Sequence, residues 1–109
     1  MTGAQDAPQE RPDDDLDDVI AALARRAHER NQVRARRVEE LLAAPAGARD
    51  PAAREEAVRL CHTMSGSAAT FGEVGLSDAA GRLEAVLRES RVGDVPAALD
   101  ALRAAAGAA

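Results

Sequence analysis

One histidine stands where chemistry is possible. The stretch LCHTMSGSAATFG at residues 60–72 sets His62 in an apolar and small-residue run, with Ser65 and Gly66 three and four positions further on. A neutral imidazole nitrogen is a nucleophile, and histidine changes charge close to neutral pH, so such a ring can accept an electrophile and give it up again. Glycine inside a helix costs about 1 kcal/mol relative to alanine. Gly66, one turn beyond the histidine, therefore needs a reason. Either it clears space beside the ring, or it lets a neighbouring helix approach closely.

Laid out at roughly 100° per residue, the helix carrying His62 gathers Ala57, Leu60, Met64, Ala68 and Phe71 on one face, which is the expected core face. His62 falls near the opposite side, among Glu55, Val58, Ser65, Gly66 and Ala69. Those neighbours are mostly short, so a partner molecule would reach the ring without steric opposition. Val58 adds an apolar spot suited to docking. Cys61 flanks the core face and reads as a small buried hydrophobe. His28 lies among Arg and Glu on an earlier helix, with no motif around it, and reads as a surface residue. The single cysteine and two histidines form no recognisable ligand cluster.

The elements that must hold this site are helical. Alanine, leucine and arginine dominate, while β-branched and aromatic residues are scarce, with one Phe and no Trp or Tyr. Residues 1–12 are polar and proline-punctuated and read as a disordered leader. The acidic run DDDLDD at 13–18 suits the first turn of a long helix, because carboxylates oppose the positive end of the helix dipole. That helix is expected over about 14–44, with Leu16, Val19, Ile20, Leu23, Ala27, Val38, Leu41 and Leu42 on its apolar stripe. The Asp50-Pro51 pair, an N-cap followed by proline at the first helical position, starts a second helix running to about Phe71 and closing at Gly72. A third is expected over 76–90 and a fourth, capped by Asp94, over 95–106. Four amphipathic helices with short loops pack most simply as an antiparallel up-down-up-down bundle within one domain over 13–107.

Composition narrows the function. All fourteen basic residues are arginines, yet the net charge is −5, which argues against nucleic acid as the main partner. One cysteine excludes an intramolecular disulfide and fits a reducing cytoplasm. No apolar run approaches the ~20 residues of a membrane span. A monomer is expected, with pairing through an exposed stripe as the open alternative.

The run from His62 to Gly72, His-Thr-Met-Ser-Gly-Ser-Ala-Ala-Thr-Phe-Gly, resembles the signature of histidine-containing phosphotransfer (HPt) domains. Members carry His, two residues, usually Lys, then Gly, then small residues ending in Phe-Gly. The likeness continues through Leu76-Ser77-Asp78-Ala79-Ala80 and Leu83-Glu84, and covers residues 50–90 well. It implies a four-helix bundle that relays phosphoryl groups without independent catalysis, as a substrate of its partners. On this resemblance His62 is the phosphoacceptor, and Ser65 and Gly66 neighbour the phosphoryl group. The partners are a response-regulator receiver domain, a hybrid histidine kinase, or both. The receiver would supply an aspartate and the bound Mg²⁺, so the resemblance implies no metal site and no cofactor in this chain. Ser65 departs from the family's usual lysine, which is thought to balance phosphate charge.

Arginine can replace that charge, since its planar fork donates two parallel hydrogen bonds to phosphate. Arg59, one turn before His62 and roughly 60° away on the wheel, is one candidate. The stripe of Arg26, Arg30, Arg34 and Arg37 on the first helix is another. Glu55, Val58, Ala69 and Arg34 are the expected docking residues. Two other functions stay open at this point: an HPt-like module that binds a receiver or kinase without carrying phosphate, and an arginine-rich helix that binds nucleic acid.

Overall fold

The computed structural model describes residues 12–107. Four α-helices follow in order: α1 (Pro12–Ala43), α2 (Pro51–Thr70), α3 (Val74–Arg88) and α4 (Val95–Gly107). The protein is an all-α helical bundle, as its composition predicts. The expected leader lies outside the described residues except for Pro12, which opens α1.

Local chemistry explains each boundary. Ala43 ends α1 two residues before Pro45, and the chain reverses through a short 3₁₀ turn, Gly47–Arg49. Gly47 sits at φ 51°, and a Cβ there would lie 3.0 Å from the Leu42 carbonyl oxygen, so this turn requires glycine. Asp50 caps α2 by accepting a hydrogen bond from the Ala52 N–H at 3.1 Å, with Pro51 in the first position. At the other end Gly72, at φ 77°, closes α2 in a Schellman arrangement. There the Glu73 N–H donates to the Ala68 carbonyl (2.8 Å) and the Gly72 N–H to Ala69 (3.2 Å).

Two boundaries differ from expectation. Helix α3 starts at Val74 and stops at Arg88, because Ser90 takes the left-handed conformation at φ 55° and forms the same closing pattern without a glycine. The Arg91 N–H donates to Val86 (3.0 Å) and the Ser90 N–H to Leu87 (3.2 Å). Asp94 belongs to a 3₁₀ turn, Val92–Asp94, that runs into α4, and its carboxylate pairs with Arg91 at 3.5 Å.

Cross-helix bonds fix an antiparallel order. Between α1 and α2, Arg37 meets Glu56 and Asn31 meets Ser67, so one number falls as the other rises. Between α2 and α3, His62 meets Glu84 and Ser65 meets Ser77. Between α1 and α4, Gln32 donates to the Ala106 carbonyl and Arg103 donates to Glu39. The four helices thus enclose one core in which Val38, Ala57, Cys61, Met64, Ala68, Leu83 and Leu102 have no exposed surface. The α2 core face is turned toward Cys61 relative to the expected wheel, and Leu60 and Phe71 are only half-buried. With so much alanine on α2 and α4 the helices approach closely, and the volume comes from Met64, Leu83, Leu87 and Leu102.

The largest departure lies on α1. Leu16, Val19, Ile20 and Leu23 were expected on a buried stripe, yet they are between 47 and 56 % exposed. The reason is length. α1 has 32 residues against 20 in α2. His28 already stands level with Glu73 in the α2–α3 turn, so the residues before it run past the end of the bundle.

Candidate functional site

His62 projects from the middle of α2 with 74 % of its side chain exposed. Its Nδ1 lies 3.2 and 3.3 Å from the two carboxylate oxygens of Glu84 on α3. Glu84 is itself only 15 % exposed, and Arg88, one turn further along α3, donates to the same oxygen at 2.8 Å. Arginine, carboxylate and imidazole therefore form one chain across the α2–α3 seam. A carboxylate at Nδ1 holds that nitrogen's proton and leaves the Nε2 lone pair free.

The helices beneath the ring are clasped by two serines. Ser65 Oγ donates to the Ser77 carbonyl at 3.0 Å, and Ser77 Oγ donates back to the Ser65 carbonyl at 3.0 Å. The hydroxyl expected beside a phosphoryl group is thus committed to joining α2 and α3. Gly66 is exposed, and a Cβ added there would have no atom within 4 Å. No neighbouring helix needs the missing side chain, and the surface beside the histidine is open. Thr70 Oγ1 donates to the Gly66 carbonyl at 3.0 Å, which supports the backbone where glycine leaves it bare.

Of the expected docking residues, Glu55 and Ala69 are exposed on the face of His62, and Val58 is half-buried at its edge. Arg59 reaches back to Glu55 at 3.5 Å and forms no hydrogen bond with His62. Arg34 lies at the α1–α2 edge and donates to Asn31 Oδ1 at 2.7 Å, while the fully buried Asn31 donates to Ser67 Oγ at 3.3 Å. Arg26, Arg30 and Arg34 line a groove there with Leu23, Ala27, Ser67 and Phe71. Arg37 is separate from that group: it binds Glu56 through two nitrogens, at 2.9 and 3.2 Å. Hydrogen bonding from Arg37 holds the Glu56 carboxyl below its usual range, and Glu56 raises Arg37 in turn.

The other candidates sort themselves by burial. Cys61 is fully buried, and burial, with a smaller push from the Glu84 charge, raises its thiol to about 12. It is a packing residue and no nucleophile. His28 corrects the surface reading. It is 21 % exposed, and its Nδ1 meets Glu73 Oε1 at 2.6 Å, fastening α1 to the α2–α3 turn. The second oxygen of Glu73 is buried without a partner.

Glu84 and Arg88 were absent from the candidate site. A signal for them exists in the sequence: Ser77, Gly81, Glu84 and Arg88 recur at helical spacing and share a face of α3, beside the buried Leu83 and Leu87. Small residues followed by a carboxylate on one face mark a seam where another helix packs close and a polar side chain reaches across. Among the described residues no group of three or more His, Cys, Asp and Glu side chains is placed to hold a metal ion. No helix among them is long and apolar enough to cross a membrane.

Fold and site together define a helical bundle that offers one exposed, carboxylate-held imidazole to an incoming molecule. The Hpt domain model matches residues 5–109, and the chain belongs to the Hpt domain family. Members of that family are phosphocarrier modules of histidine phosphorelays, and they work with receiver or kinase domains. No curated protein and no solved structure matches the chain.

Proposed function

We propose that this protein is a phosphorelay intermediate that accepts a phosphoryl group on Nε2 of His62 and exchanges it with the aspartate of a receiver domain. One observation carries the reading: Nδ1 faces Glu84 while the rest of the ring stands in solvent. In the forward step the Nε2 lone pair attacks phosphorus in line. The P–O bond to the receiver's aspartate breaks, the N–P bond forms, and the aspartate leaves as a carboxylate. The imidazole keeps its Nδ1 proton throughout. The positive charge that develops on the ring faces Glu84, and a fixed carboxylate at that point stabilises the step. Transfer back reverses the same bonds. Protein contributions to such a step are mainly positioning and charge neutralisation.

The metal belongs to the receiver in this scheme, as it does in the family the chain resembles. Positive charge from this chain comes from arginine. Arg88 is one carboxylate away from the ring, and Arg59 is held only by an exposed pair with Glu55, an arrangement that exchanges easily for a phosphate oxygen. Glu55, Val58, Gly66 and Ala69 form the docking face, with Arg34 at its edge. The small side chains there let a receiver bring its aspartyl phosphate to the ring. A cytoplasmic location fits the buried, reduced Cys61.

The test is phosphoryl transfer from phosphorylated receiver domains to the wild-type chain and to His62→Gln. Label on the wild type alone supports the reading. Stable complexes without label on either protein would instead make this a binding module that carries no phosphate.

A further inference from the structure

Helix α1 carries two surfaces away from His62, and they complement each other. The first is the arm that outruns the bundle. Leu16, Val19, Ile20 and Leu23, spaced at i, i+3, i+4 and i+7, form an exposed apolar stripe flanked by Asp15 and Asp17. Those two carboxylates make no ion pair among the described residues. Four large apolar side chains in one row on a free helix are a contact surface rather than scattered exposure.

The second is the groove of about 180 Å³ between α1 and α2. Its apolar lining is Leu23, Ala27 and Phe71, and Arg26, Arg30 and Arg34 stand along it. These arginines pair with no carboxylate among the described residues; Arg34 meets only the amide oxygen of Asn31. The stripe from Leu16 to Leu23 spans about 10 Å, and Arg26 to Arg34 spans about 12 Å, at 1.5 Å per residue. One surface is apolar and acidic, the other apolar and basic, and their lengths agree.

We infer that the occupant of this groove is the arm of a second copy of the chain, giving a two-fold symmetric dimer. Antiparallel α1 helices crossing near Leu23 bring Leu16, Val19 and Ile20 of each copy to the groove of the other. Along the helix axis the same crossing sets Asp15 and Asp17 of each copy within a helical turn of Arg30 of the other, with Arg26 and Arg34 to either side. A two-fold axis uses each surface twice, so both arms and both grooves are covered by one contact. His62 does not line the groove, and its face stays open in the dimer. The contact is short beside the roughly 1,200 Å² of a stable interface, so the dimer is weak and depends on concentration.

Sedimentation velocity on the full chain from roughly 5 to 500 μM tests this, across the range where weak pairs form. The average mass should rise toward twice the monomer's. Val19→Asp with Ile20→Asp, both on the exposed arm and outside the core, should weaken association at least tenfold. Arg26→Glu with Arg30→Glu should do the same, and added salt should weaken the wild type. A wild type that stays monomeric throughout overturns the proposal. So does association that neither double variant weakens. A monomer that binds a receiver domain through Val19 and Ile20 would assign the arm to that partner instead. Phosphoryl labelling of the Val19→Asp, Ile20→Asp variant should match the wild type, which separates this question from the relay itself.

Discussion

The chain has two histidines, and each faces a carboxylate on another element. His62 meets Glu84 at 3.2 Å and His28 meets Glu73 at 2.6 Å. In contact chemistry they are alike, and the difference lies in what surrounds them. The His62 ring is 74 % exposed beside a glycine with open space around it, whereas His28 is 21 % exposed and wedged between α1 and the α2–α3 turn. A carboxylate orients an imidazole in both places. Only the His62 ring is largely exposed, with open space beside it at Gly66. At His28 the same pair acts as a fastener. Access, then, separates the proposed carrier from the strut.

Exchanging the two roles gives the largest effects. His62→Gln should abolish phosphoryl labelling while the far-ultraviolet circular dichroism stays unchanged, since the ring lies off the core. His28→Gln should keep its label, and loss of label there would break the comparison. Next in size is Glu84→Ala, which removes the group holding Nδ1 and should slow transfer about tenfold, an estimate for lost positioning and charge stabilisation. Stopped-flow or quench-flow transfer assays would read it, and an unchanged rate would reduce Glu84 to a surface ion pair with Arg88.

Stability sharpens the contrast from the other side. His28→Gln should cost about 1–3 kcal/mol in urea unfolding, because it removes a partly buried, charge-assisted bond and leaves Glu73 less satisfied. His62→Gln should cost a few tenths at most, as expected for an exposed pair. Away from both histidines, Ser90→Gly should raise stability by about 0.5–1 kcal/mol by relieving the left-handed conformation at φ 55°. The smallest effect is the acid limb of the stability profile. Glu56 is held low in the folded state by Arg37, so its contribution is present above the ordinary carboxylate range and fades as pH falls through the lowered value. Because the pair is exposed, Glu56→Gln should flatten that limb only slightly. The alkaline limb has the opposite sign. The Cys61 thiol is raised to about 12 by burial, so its contribution is intact below the ordinary thiol range and is lost as pH rises toward that value.

Much of this was legible in the residues, for identifiable reasons. Asp50-Pro51 and Phe71-Gly72 mark the ends of α2 because a cap and a left-handed residue are local requirements that need no knowledge of the fold. His62 could be set on the outer face of α2 because helical periodicity depends only on spacing. Glu84 and His28 were not legible as partners, since both act across 22 and 45 positions of sequence, and only packing brings such residues together. The exposed stripe from Leu16 to Leu23 misled for a related reason. Periodicity shows that a face is apolar, and it does not reveal whether the next helix is long enough to cover it. Ser90 hid the end of α3 because serine in a left-handed position leaves no compositional trace.

The most direct measurement is the site and isomer of the phosphorylated histidine. Nuclear magnetic resonance of ¹⁵N-histidine-labelled protein, after transfer from a phosphorylated receiver, distinguishes both rings and both nitrogens. Phosphorus is expected on Nε2 of His62 with the Nδ1 proton retained. Phosphorus on His28, on Nδ1 of His62, or on neither ring would contradict it.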